Sequence, residues 1–142
     1  MLPYISGEFG VVADPELRFS DKGTSWLKVR GVAKDRTRDS NGSWTDGDPI
    51  FLDIIISGKS GENLFESIAK GDSIMVSGKL KQREYEKDGQ KRTVIEIRSD
   101  NIGVSVRWGS AKTPKAIENT GSVGAVADAF GGHIEEETEI PF

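Results

Sequence analysis

Lys79, Lys81, Arg83 and Tyr85 stand two residues apart, as do Trp26, Lys28 and Arg30. In an extended strand such residues share a face. Each set therefore reads as a row of cations joined by an aromatic ring. Single-stranded nucleic acid asks for that mixture. Cations follow the phosphates, and flat side chains stack on bases at about 1–3 kcal/mol per base. Phe51 heads a third strand face, and Trp44 sits in a polar segment beside Arg36 and Arg38. Taken singly, charged residues on a strand are commonly just solvated and aromatics are commonly core. The weight comes from the rows occurring together. A tryptophan in a polar segment is also costly to leave in water without a packing partner or a ligand.

The last residues carry a different signal. Glu135, Glu136, Glu137 and Glu139 lead into Ile140-Pro141-Phe142. A solubilising role accounts for the glutamates but not for the apolar ending. That ending suits docking into a basic-rimmed apolar pocket on a partner protein.

No residue set offers catalysis. There is no cysteine and a single histidine, His133. This excludes a thiolate nucleophile, a Cys-based zinc site and a multi-histidine metal site, and it argues against a Ser-His-Asp apparatus. Gly58-Lys59-Ser60 matches the end of a P-loop, but the position five before Gly58 is Asp53, not glycine. Gly121-Ser122-Val123-Gly124 has the form of a KH clamping loop without helical patterns beside it. The acids show no paired-carboxylate or metal spacing. No cofactor, no metal and no enzymatic activity are expected, and a nuclease has little to recommend it.

These side chains need strands to hold them. The 142 residues are 35% hydrophobic and 30% charged, which suits one domain with a tail. The most apolar stretch, Ile50 to Ile56, is short and broken by Asp53, so no membrane span is expected. Residues 4–13 and Trp26–Lys34 read as strands, and residues 35–49 as a long polar loop. In Ile50–Ser57, Leu52, Ile54 and Ile56 share one face, and Phe51, Asp53, Ile55 and Ser57 the other. The period then becomes helical: Ser60 offers an N-cap, Leu64, Phe65 and Ile68 follow at helical spacing, and Gly71 offers a stop. Ser73–Tyr85 is a long strand with a bulge signal at Gly78. Lys87-Asp88-Gly89-Gln90 is a hairpin turn, and Arg92–Arg98 returns, with Ile102–Trp108 as its extension.

Three strands, a short helix and two long strands match an all-β class with one helix. The pattern is that of a five-stranded Greek-key barrel of the oligonucleotide-binding type, with a disordered C-terminal tail. It gives a domain over 1–108, a flexible Gly/Ala-rich linker over 109–133 and an acidic tip over 134–142. Two lysines and six acids follow Trp108, so the tail carries the whole net charge of −4 and the body is neutral. The acidic overall balance therefore does not argue against a nucleic-acid partner.

Several segments have a familiar form. They are Asp14-Pro15-Glu16-Leu17-Arg18-Phe19, Gly58-Lys59, Gly78-Lys79-Leu80-Lys81-Gln82-Arg83, Lys91-Arg92-Thr93-Val94-Ile95-Glu96 and the ending Ile140-Pro141-Phe142. Through them the chain resembles the bacterial-type single-stranded DNA-binding proteins over nearly its whole length. The loop Gly42-Ser43-Trp44-Thr45-Asp46-Gly47 and Asn101-Ile102-Gly103 look most like members from high-GC Gram-positive bacteria and their phages. The resemblance implies a homotetramer that binds single-stranded DNA without sequence preference in replication, recombination and repair. It further implies that Glu135, Glu136, Glu137, Glu139, Ile140, Pro141 and Phe142 recruit replication and repair proteins. The expected nucleic-acid set is Arg18, Trp26, Lys28, Arg30, Arg36, Arg38, Trp44, Phe51, Lys79, Lys81, Arg83, Tyr85, Lys91 and Arg92. Phe51 and Tyr85 fall where the family keeps base-stacking aromatics, and Trp44 matches the loop tryptophan of the high-GC members. The expected location is the bacterial cytoplasm or nucleoid, or the cytoplasm of a phage-infected host.

Four positions depart from the family pattern. Asp53 stands where a basic residue is frequent, and Ser57 where a stacking Phe is known. Thr37 lies near the place of a loop Trp, and Leu52 replaces a polar residue tied to subunit contacts. Asp53 and Ser57 motivate a rival reading, an adaptor that keeps the barrel for protein contacts and binds DNA weakly.

Overall fold

The computed structural model describes residues 1–111 and 141–142. The elements in chain order are β1 (Tyr4–Val11), β2 (Glu16–Phe19), β3 (Ser25–Ala33), β4 (Arg36–Arg38), β5 (Trp44–Asp46), β6 (Ile50–Ser57), α1 (Lys59–Ser67), β7 (Ser73–Lys87) and β8 (Gln90–Val104). Six strands form one sheet in the order β1-β7-β8-β6-β3-β2. Pairing of β1 with β3 at Gly10↔Val32 and Val11↔Gly31 closes the sheet on itself. A closed barrel has one inner and one outer face, so alternating residues separate cleanly.

The inner face is the core. Phe9, Val11, Leu27, Val29, Leu52, Ile54, Ile56, Ile74, Val76 and Ile97 are buried together. The register explains the set, since Leu27 lies opposite Ile56, Val29 opposite Ile54, and Leu80 opposite Ile97. Helix α1 adds Leu64, and Ile68 follows at its end to complete the same cluster.

The longest strands, β7 and β8, form one antiparallel hairpin that includes its connecting turn. Asp88 and Gly89 have φ of 54° and 76°. Positive φ at both central residues matches the twist of a two-residue hairpin, which Asp-Gly adopts at low cost. The register shifts between Ser77 and Gly78. A Cβ on Gly78 would lie 2.2 Å from the Arg98 carbonyl oxygen, so only glycine fits there. The bulge expected at Gly78 is therefore present, and its physical reason is close backbone approach.

Some expectations need correction. The helix follows Gly58 with no side-chain cap, and Ser60 lies inside it. It ends at Ser67, so Gly71, at φ 99°, belongs to the turn before β7. Residues 35–49 are not an unstructured loop, because β4 and β5 pair within them at Arg36↔Asp46, Thr37↔Thr45 and Arg38↔Trp44. Three-residue strands are too short to show a period, so composition alone reads them as loop. For the same reason the four residues of β2, which pairs with β3, carry no readable period of their own. The proposed linker over 109–133 lies outside the described residues from residue 112 on. So do Glu135, Glu136, Glu137, Glu139 and Ile140 of the tip.

Candidate nucleic-acid interface

The outer face gathers most of the singled-out residues. On β7, Lys79, Lys81, Arg83 and Tyr85 alternate with the inward Leu80. On β3, Lys28 and Arg30 alternate with the buried Val29. Cross-strand pairing joins these rows. Arg18 on β2 lies opposite Trp26, Arg30 lies opposite Asp53 on β6, and Tyr85 lies opposite Arg92 on β8. Residues directly opposite one another share a face.

The aromatics differ in access. Phe51, Trp44 and Tyr85 are exposed at 48%, 58% and 39%. The Arg30 guanidinium lies 5.8 Å from the Phe51 ring centroid, and that of Arg38 lies 5.3 Å from the Trp44 ring. Both arrangements place a cation on an aromatic face that still meets solvent, as a base-stacking platform requires. Trp26 does not fit this pattern. It is only 8% exposed, and its Nε1 has no hydrogen-bond partner among the described residues. It lies opposite Arg18 on β2 and beneath the surface of this structure. Period two gives its side of the strand but not what covers it.

The β4–β5 hairpin presents Arg36, Arg38, Trp44 and Asp46 on one side, since they are cross-strand partners. On the other side Thr37 Oγ1 and Thr45 Oγ1 lie 3.2 Å apart. Lys34 Nζ donates to Asp46 Oδ2 at 2.8 Å, and this hydrogen bond holds the Asp46 carboxyl below its ordinary value of 3.8. Arg36 Nε is 3.6 Å from the same carboxylate. The hairpin is thereby tethered by charge, with Trp44 at its end.

Lys91 is set apart from the rest. It lies opposite Glu86, on the side of the β7–β8 hairpin away from Tyr85 and Arg92. Two residues not singled out from the sequence join the face instead. Glu96 and Arg98 stand two apart on β8, opposite Lys81 and Lys79. Their spacing is the same period-two signal that marked β7, so it could have found them.

Pro141 and Phe142 also lie here. The Phe142 ring centroid is 4.7 Å from the Arg18 guanidinium carbon and 5.1 Å from Lys28 Nζ. Arg18 Nη1 donates to the Pro141 carbonyl at 3.0 Å, and Arg83 Nη1 donates to the Phe142 carbonyl. Nothing in the sequence pattern links Phe142 to these cations. Among the described residues, no group of His, Cys, Asp and Glu is arranged to hold a metal ion. No described helix is long and apolar enough to cross a membrane.

Comparison with known proteins decides the family. The model of the single-strand binding protein family matches residues 9–105, well over half of the chain. The chain belongs to that family. A curated relative from Mycobacterium tuberculosis, named single-stranded DNA-binding protein, is 42% identical over 113 residues, covering 78% of this chain and 69% of the relative. One of the same name from Paenarthrobacter aurescens is 38% identical over 123 residues, covering 85% and 72%. These relatives come from high-GC Gram-positive bacteria, the group the resemblance pointed to. A small single-stranded DNA-binding protein of Streptomyces coelicolor superposes with a TM-score of 0.67 at 28% identity, over 74% of this chain and 95% of that one. The family's oligonucleotide-binding barrel is thus the fold of this chain. The matched residues run from Phe9 in β1 to the end of β8, so they take in every strand of the outer face described above.

Proposed function

We propose that this protein binds single-stranded DNA without sequence preference and shields it during replication, recombination and repair. The observation that carries the reading is a set of exposed rings among cations: Phe51 and Tyr85 with Arg30 and Arg92 on the outer barrel face, and Trp44 with Arg38 on the β4–β5 hairpin. Stacking on those rings needs no particular base, and the cations follow a backbone common to all sequences. Membership of the single-strand binding protein family and the printed names of its curated relatives support the same reading. Those relatives are named as DNA-binding proteins, which favours binding over catalysis here.

The domain over 1–108 would bind DNA and self-associate, with 109–133 as a spacer and 134–142 as a site for replication and repair proteins. Tyr4, opposite Lys79, and Met75 lie exposed on the outer side of β1 and β7. Such apolar exposure supports association into a homotetramer. The proposed location is the bacterial cytoplasm or nucleoid, or that of a phage-infected host.

A rival reading, a protein-interaction adaptor with weak DNA binding, draws on Asp53. Its carboxylate lies 3.1 Å from Arg30 Nη1 and offsets a cation on the proposed DNA face. Titration of tryptophan fluorescence with poly(dT) at several salt concentrations separates the two. Strong quenching, with affinity falling as salt rises, is the expected result. No quenching at low salt would overturn DNA binding in favour of the adaptor. Light scattering on the free protein tests the tetramer.

A further inference from the structure

The cations of this face come with their own anions. Arg83 Nε and Arg98 Nε lie 3.0 Å and 2.8 Å from the two oxygens of Glu96, which is 1% exposed. Arg30 meets Asp53, which is 8% exposed. Arg30, Asp53, Glu96 and Lys81 run in register across β3, β6, β8 and β7, so two buried carboxylates occupy the middle of the row. At the margins Glu16 lies 3.2 Å from Arg18 and 3.9 Å from Lys28, and Asp46 pairs with Lys34 and Arg36. Seven cations are thus paired with four carboxylates.

The consequence is electrostatic. Binding of DNA gains from ions released when phosphates are neutralised, and the salt dependence counts the charges that do so. A cation already neutralised within the protein contributes little to that count. Exposed pairs such as Arg18–Glu16 are weak and screened, so a phosphate readily replaces the carboxylate. Glu96 and Asp53 differ, because a buried carboxylate is costly to separate from its partner. They stay with their arginines when DNA arrives.

We propose that Asp53 and Glu96 are built-in counter-anions that position Arg30, Arg83 and Arg98 and limit how many phosphates the face neutralises. Binding then leans on Phe51, Trp44 and Tyr85, and its salt dependence is shallower than the number of basic residues suggests. The inference rests on the DNA-binding reading given above.

The test compares full-length wild type with Asp53→Asn, Glu96→Gln and Glu16→Gln, each titrated with poly(dT) across a salt series. Asp53→Asn and Glu96→Gln are each expected to steepen the slope of log affinity against log salt by about 0.7 per charge freed. That is a loss between about 50 and 200 mM salt roughly 2.6-fold greater than in wild type. Glu16→Gln is expected to leave the slope near the wild-type value. A thermal melt of each variant reports the fold, and a purely structural role would lower the melting temperature without moving the slope. Folded Asp53→Asn or Glu96→Gln with a wild-type slope overturns the proposal. If Glu96→Gln does not fold, Asp53→Asn decides, since its partner Arg30 is 40% exposed and can turn to water. Wild type that fails to bind poly(dT) at low salt would instead overturn the function itself.

Discussion

The guanidinium of Arg18 lies over the ring of Phe142, 4.7 Å from its centroid, and donates to the preceding carbonyl of Pro141 at 3.0 Å. Lys28 and Arg83 complete the same seat. A segment expected to serve partner proteins therefore also occupies cations expected to serve phosphates. Both uses draw on the same donors, so they compete. Phe142→Ala is expected to raise affinity for poly(dT) at low salt. Two cation–π contacts at an exposed site are together worth about 1 kcal/mol, or roughly fivefold. Fluorescence titration measures it, and unchanged affinity would mean that the strand's path avoids Arg18 and Lys28.

Phe51 and Arg30 form the barrel's own platform on the neighbouring strands. Removing the ring in Phe51→Ala should weaken DNA binding by about 1–3 kcal/mol at constant salt slope, since a stack and not a charge is lost. Full retention of affinity in a folded Phe51→Ala protein would take this residue out of the site.

The Lys34–Asp46 pair tethers the β4–β5 hairpin, and its pH dependence has a definite sign. The Asp46 carboxyl is held below its ordinary value of 3.8 by the Lys34 hydrogen bond. Its folded value is lower than its unfolded one. The pair's support is therefore complete above the ordinary value and is lost as pH falls through the lowered folded value. Trp44 sits across the ladder from Arg38, two residues before Asp46, and its emission reports the change. An acid titration should show a Trp44 signal that begins near 3.8 and extends to lower pH in wild type. Subtracting the Asp46→Asn trace should leave that component alone. Identical traces for the two proteins would show that the pair does not hold the hairpin.

Ile97 is fully buried at the point where β8 meets β6 in parallel and β7 in antiparallel pairing. Ile97→Ala is expected to cost about 2–5 kcal/mol, combining lost transfer energy with the cavity left behind. Urea unfolding followed by tryptophan emission would show the midpoint fall. A cost under about 1 kcal/mol would mean the barrel closes around the gap.

Much of this protein is legible in its sequence. Strand β6 runs over Ile50–Ser57 as its alternation of Leu52, Ile54 and Ile56 indicates. The turn at Asp88-Gly89 and the bulge at Gly78 also stand where glycine marks them. These features are local: period two and the steric demands of a turn are written into neighbouring residues. The rows on β3 and β7 were readable for the same reason. What only the tertiary structure decided is who stands across from whom. Trp26 shares the face of Lys28 yet is covered, while Phe51 is open. Glu96 lies between Arg83 and Arg98, Asp53 holds Arg30, and Phe142 meets Arg18 from the far end of the chain. Those relationships follow from closing the barrel through β1 and β3 and from the register of non-neighbouring strands. Local sterics set the side on which each residue points. Long-range packing sets which charge it meets there.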